Sequence, residues 1–87
     1  MNQIVEPCHP LGFTARQGEY LAFIYAYTKV AGRPPAEAEI QRHFKVSPPT
    51  VHQMILTLER EGLIRRKPKV PRSIEVLVDP SLLPVLR

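Results

Sequence analysis

A single cysteine, Cys8, is all the chain offers for thiol chemistry, and one cysteine cannot close an internal disulfide. No apolar run approaches the roughly 20 residues that a membrane span needs. Met1–Pro10 has neither the basic start nor the apolar middle of a secretory leader. A cytoplasmic location is the resulting expectation. Internal repeats and low-complexity tracts are missing, and so is a glycine loop able to cradle phosphate. Cys8 and His9 are adjacent rather than at chelating separation, and His43 and His52 fall on different predicted helices, so no metal site is expected. No Ser-His-Asp or Cys-His arrangement is readable. Eight acidic residues, mostly near helix ends or on solvated faces, leave little for general acid–base work. A non-enzyme without a cofactor is the expectation.

The chain has 87 residues, enough for one domain and not for two. Its apolar fraction of 44% is ordinary for a globular core. The net charge of +4 is unevenly spread. Residues 1–41 hold three Lys/Arg against four Glu, residues 42–72 hold eight against two, and residues 73–87 hold one against two acids. One central cationic block points to an anionic partner, nucleic acid before membrane, although a merely solvated basic surface has the same composition.

Ten prolines punctuate the chain. Between them the pattern predicts a first helix over about 15–30, with Thr14 as N-cap, Gln17 completing a capping box, Phe13 as a staple residue and Gly32 as the left-handed stop. A short second helix is predicted over about 36–44, with Glu37 and Glu39 near its positive end and Ile40 and Phe44 facing one way. After a tight turn at Lys45–Val46, Ser47 is expected to cap a third helix through its hydroxyl, with Pro48 and Pro49 in the first turn where no N–H is needed. Val51, Ile55 and Leu58 form its apolar stripe, and Gly62 ends it. A strand over 63–67, a turn at Pro68–Pro71 and an alternating strand carrying Ile74, Val76 and Val78 complete the order.

That order describes a mainly α fold with a small antiparallel sheet: three helices plus a β-hairpin wing, the winged helix-turn-helix arrangement. The expected organisation is an N-terminal arm over 1–12, the winged domain over 13–78 and an apolar tail over 79–87. A helix fits the major groove of duplex DNA, and a basic hairpin beside it can grip the backbone. The hairpin carries Arg65, Arg66, Lys67, Lys69 and Arg72, so the cationic block and the predicted wing coincide.

Several segments resemble the DNA-binding domain of LexA-type repressors: Phe13–Gln17, Gly32–Pro35, Ala38–Ile40, Ser47–Pro48, Leu58–Ile64 and Arg72–Ile74. The resemblance spans about 13–78 and implies a third helix, about 48–61, docked in the major groove. The family reads bases from the first turns of that helix, and the matching positions are Pro49, Thr50, His52 and Gln53. None is acidic, unlike the family pattern, so its operator is not expected to carry over. Full-length members also carry a self-cleaving Ser/Lys peptidase domain, for which these residues leave no room; no self-cleavage is expected.

Backbone contact is assigned to Ser47, Arg65, Arg66, Lys67, Lys69 and Arg72. Ala22, Tyr25 and Ala26, with Leu82, Leu83, Val85 and Leu86 of the tail, form a candidate surface for a homodimer or another partner; the same residues could instead pack together within one chain. The functional expectation is sequence-specific binding of double-stranded DNA in transcriptional regulation, of repressor type. The rival is a winged-helix module that contacts protein or RNA.

Overall fold

The chain, in a computed structural model, is described for residues 12–84. Helix α1 (Ala15–Ala31) begins at the expected capping box: Thr14 Oγ1 accepts from the Gln17 N–H at 3.1 Å, and Gln17 Oε1 accepts from the Thr14 N–H at 2.9 Å. Satisfying these orphan donors is worth about 1 kcal/mol. Gly32 closes the helix at φ 80°, donating its N–H to Thr28 O. Tyr20 to Ile24 are buried at every position. The middle of α1 is therefore covered all round and serves as the central element, packed against α2 and β2.

Helix α2 (Glu37–Phe44) has Ala36 as N-cap, which has no side-chain acceptor; the Glu39 carboxylate takes the Ala36 N–H instead, at 2.7 Å. Lys45 ends it in the left-handed region, φ 57°. Helix α3 (Pro48–Arg60) places both prolines in its first turn. Here the structure corrects one expectation. The Ser47 hydroxyl makes no bond to a helix N–H; it pairs at 2.9 Å with the Thr50 hydroxyl one turn on. With proline at N1 and N2, two of the first donors no longer exist. At the other end Leu63 N–H bonds to Leu58 O and Gly62 N–H to Glu59 O, with Gly62 at φ 77°, which is a Schellman stop.

The strands are shorter than the sequence pattern suggested. Strands β1 (Ile64–Arg65) and β2 (Glu75–Val76) pair antiparallel, with Ile64 opposite Val76 and Arg65 opposite Glu75, and Leu77 N–H extends the ladder to Leu63 O. The predicted alternation holds: Ile74 is buried, Val76 and Val78 half-buried, and Glu75 and Leu77 exposed. A single core gathers Phe13, Tyr20, Leu21, Phe23, Ile24, Ile40, Val51, Ile55, Leu58, Ile64 and Ile74. Tyr20 and Phe44 stack 4.1 Å apart over the α1–α2 contact, with the Arg16 guanidinium against both rings.

Beyond β2 the chain turns back over the start of α1. A 3₁₀ turn, Pro80–Leu82, is capped by Asp79, and Leu83 packs on the core. A β-carbon on Gly18 would stand 2.9 Å from Phe13 Cε1 and 3.4 Å from Pro84 Cδ, so glycine allows this approach. The tail and α1 therefore meet within one chain. Ala22 is buried and presents no surface to a partner, whereas Leu83 packs against the core but is only half-buried. Tyr25 and Ala26 are half-buried and Leu82 is exposed; Val85 and Leu86, like residues 1–11 of the arm, lie outside the described residues.

Candidate nucleic-acid interface

Packing of α3 decides which of its side chains are presented. Val51, Ile55 and Leu58 are fixed in the core at 1% exposure or less. That orientation turns Pro49, Thr50, His52 and Gln53 to the surface, and all four are exposed. They are not equally available. Thr50 is engaged by Ser47. His52 Nδ1 lies 3.4 Å from Glu37 Oε1, at the start of α2. Pro49 has no donor. Gln53 keeps its donor and acceptor unengaged among the described residues, beside a shallow groove that runs from Pro49 and Thr50 to Thr14 and Gln17 of α1.

The wing, residues 66–73, is shaped by its own hydrogen bonds. Val70 N–H closes a turn onto Lys67 O at 3.1 Å, with Pro68 at the second position and Lys69 at φ 63°. The Ser73 hydroxyl accepts from Lys67 N–H at 3.0 Å and donates to Val70 O at 2.8 Å.

The cations of the hairpin, with Arg65 at the wing base, divide into two groups. Lys67 and Lys69 are exposed and make no ion pair among the described residues. Arg65, Arg66 and Arg72 are paired. Arg65 lies across the ladder from Glu75, with both side chains more than half exposed, a pairing worth little in water and easily exchanged for phosphate. Arg66 Nε reaches Glu59 of α3 at 3.1 Å. Arg72 grips Glu39 with both guanidinium nitrogens, at 2.7 and 3.0 Å.

Glu39 is a feature that pattern reading missed as a site. Besides Arg72 it accepts from Ala36 N–H and, at 2.7 Å, from the Tyr27 hydroxyl of α1. One carboxylate thus joins α1, the start of α2 and the wing. The signal was present, since Glu39 sits at the capping-box position of α2, but nothing in the spacing revealed a partner 33 residues away. The Arg72 guanidinium, then the Ala36 N–H and the Tyr27 hydroxyl, hold the Glu39 carboxyl down from 4.5 to about 2. A depressed carboxylate stabilises the fold fully above its unfolded pKa, and the gain disappears as pH falls through the folded value. The thermal midpoint of the wild type is therefore expected to exceed that of Glu39→Gln at pH 6, and the gap to shrink between pH 4.5 and pH 2. Parallel curves over that window would show that the ion pair does not form in solution.

Among the described residues no group of three or more His, Cys, Asp or Glu could hold a metal ion, and no helix is long and apolar enough to cross a membrane. His43 stacks on Phe23 at 4.2 Å, and Cys8 and His9 lie outside the described residues.

A recognition-type helix with its apolar side locked inward, a short turn before it and a cationic hairpin after it agree with what comparison of whole sequences finds. A family model described as the LexA DNA binding domain matches residues 11–73. The chain belongs to the LexA DNA binding domain family. It is 40% identical over 68 residues to a LexA repressor from Thermosipho africanus, an alignment covering 78% of this chain and 34% of the relative. LexA repressors from Exiguobacterium sibiricum and Bacillus subtilis are each 46% identical, covering 74% and 71% of this chain and 32% and 31% of their own. The chain therefore spans about a third of the length of the LexA repressors it matches.

Proposed function

We propose that this domain of the LexA DNA-binding family acts as the sequence-reading part of a transcriptional repressor in the cytoplasm. Helix α3 lies in the major groove of double-stranded DNA and the wing tip rests on the phosphate backbone. Family membership favours DNA over the protein- or RNA-binding alternative. The observation that carries the docking is the presentation of Pro49, Thr50, His52 and Gln53 on the first two turns of α3, with Lys67 and Lys69, exposed and without an ion pair among the described residues, on the hairpin that follows. Base edges are reached from those turns, while lysines neutralise phosphate as point charges. Ser47 and Arg65, both exposed, supply further backbone contacts at the helix start and the wing base.

Salt dependence tests the division of labour. Each neutralised phosphate contributes about −0.9 to the slope of log affinity against log salt. Alanine at both Lys67 and Lys69 is expected to flatten the slope by roughly 1.8 and to weaken binding to every duplex alike. A slope equal to wild type would show that the wing tip does not touch phosphate. Selection of bound duplexes from a random pool tests the reading itself: an enriched motif is expected, and two-fold symmetry with half-sites about one helical turn apart would report a homodimer on DNA. A pool that stays random would favour the non-reading alternative.

A further inference from the structure

We infer that two of the wing arginines brace the wing rather than contact DNA: Arg72, held by Glu39 of α2, and Arg66, held by Glu59 of α3, set the angle of the hairpin against the recognition helix. Lys67 and Lys69 are left as the phosphate contacts of the wing tip. This inference rests on the DNA-binding reading above.

The ladder alone cannot fix that angle. It has two registered residue pairs and the Leu77–Leu63 bond, and the wing lies beyond them. The bonds inside the wing, from Ser73 and the Lys67–Val70 turn, keep its shape but tie it to nothing else. Packing at its tip is loose, since residues 67–71 are all exposed. A cleft of about 340 Å³ separates Lys69, Val70 and Pro71 from Pro35, Ala36 and Glu37 at the start of α2. Among the described residues, the side-chain hydrogen bonds from the wing to the helices are those of Arg66 and Arg72.

The Arg72 brace is built to stay closed, while Arg66 reaches Glu59 through a single bond from a mostly covered side chain. The bidentate contact of Arg72 is planar and directional, and the Glu39 oxygens also serve Tyr27 and Ala36. An arginine that left for a phosphate would abandon a carboxylate already fixed in place. Side-chain exposure is 33% for Arg72 and 20% for Arg66, against 68% for Arg65. Arg72 adopts φ 57°, a left-handed backbone conformation that residues other than glycine seldom take. Fixing the hairpin before DNA arrives removes an ordering cost from binding.

Charge and geometry make opposite forecasts for the acidic partners. Glu39 and Glu59 repel phosphate, so Glu39→Gln and Glu59→Gln should tighten DNA binding if only charge mattered. If they anchor braces, both substitutions are expected to weaken it, by roughly five- to tenfold, with the salt slope unchanged. Arg72→Gln is expected to do the same, again without loss of slope. Arg72→Lys keeps the charge and loses the fork; if Arg72 is a brace, exchange over 67–73 rises in the free protein, whereas loss of a phosphate contact leaves it at the wild-type rate.

The test measures duplex affinity against salt for these variants, together with amide hydrogen exchange over 67–73 in the free proteins. Faster wing exchange with unchanged protection in α1 is expected for Glu39→Gln and Glu59→Gln. Tighter binding by both acid variants, or a slope lowered by about 0.9 in Arg72→Gln, would overturn the inference. Should Glu39→Gln fail to fold, Arg72→Lys and Glu59→Gln decide by the same readings. Should the wild type bind no duplex, the DNA reading fails on its own. The braces are then judged by exchange: acceleration over 67–73 upholds them and wild-type rates refute them.

Discussion

Ile55→Ala is expected to lower the thermal midpoint by roughly 10–25 °C and, at temperatures where the variant is largely unfolded, to abolish duplex binding. Ile55 has no exposed surface, and it stands on α3 between Val51 and Leu58 in a core that also takes Leu21 and Ile24 from α1, Ile40 from α2 and Ile64 from β1. Truncating such a residue removes its transfer free energy and leaves a cavity, together about 2–5 kcal/mol. A domain of this size has a total stability of only about 4–13 kcal/mol. Loss of one side chain therefore consumes a large part of what keeps α3 in place. The contrast lies two residues away. Gln53 is exposed, and its replacement by alanine should stay within about 0.5 kcal/mol of wild type in stability. Thermal melts of the two variants decide the point: a midpoint for Ile55→Ala within 3 °C of wild type would mean that α3 does not pack as described, and its outward face would then be unassigned.

The parts of this architecture that were legible in the sequence are those set by local chemistry. Thr14 with Gln17 marks a helix start because the two side chains satisfy backbone donors within one turn, and Gly32 and Gly62 mark helix ends because each stop needs a positive φ. The stripe of Val51, Ile55 and Leu58 oriented α3 correctly because one helix face meets one core. Helix α1 resisted the same logic. Buried on all sides from Tyr20 to Ile24, it has no polar face there, and Ala22, taken for surface, is covered. The wing exposed a second limit. A count of positive charges marks a cationic hairpin but cannot tell a lysine left in solvent from an arginine clasped by an acid 33 residues away. Which of the five hairpin cations have partners is a tertiary fact. The Ser47 hydroxyl taught the same lesson at shorter range, since it turned to Thr50 and not to the helix backbone.

Gln53→Ala is expected to relax base preference at one position of the bound site, by about 1–3 kcal/mol of discrimination or roughly 5- to 150-fold, while leaving affinity for unrelated duplexes nearly unchanged. The candidates on α3 differ in what they have left to offer. Thr50 spends its hydroxyl on Ser47, His52 leans towards Glu37 and Pro49 can give only apolar contact, for example to a thymine methyl. Gln53 holds an amide donor and a carbonyl acceptor side by side, exposed on the second turn and unengaged among the described residues. That pair matches the N6 and N7 edge of adenine in the major groove, where a bidentate contact rejects other bases. Lys69→Ala provides the opposite signature, because a lost phosphate contact lowers affinity for all sequences and flattens the salt slope. A panel of duplexes carrying each single substitution in the selected motif separates the two: Gln53→Ala should flatten the profile at one column, and Lys69→Ala should lower the whole profile without changing its shape. If alanine at Thr50, His52 and Gln53 lowers every duplex equally, the outward face of α3 meets only phosphate, and base reading belongs to another element of the domain.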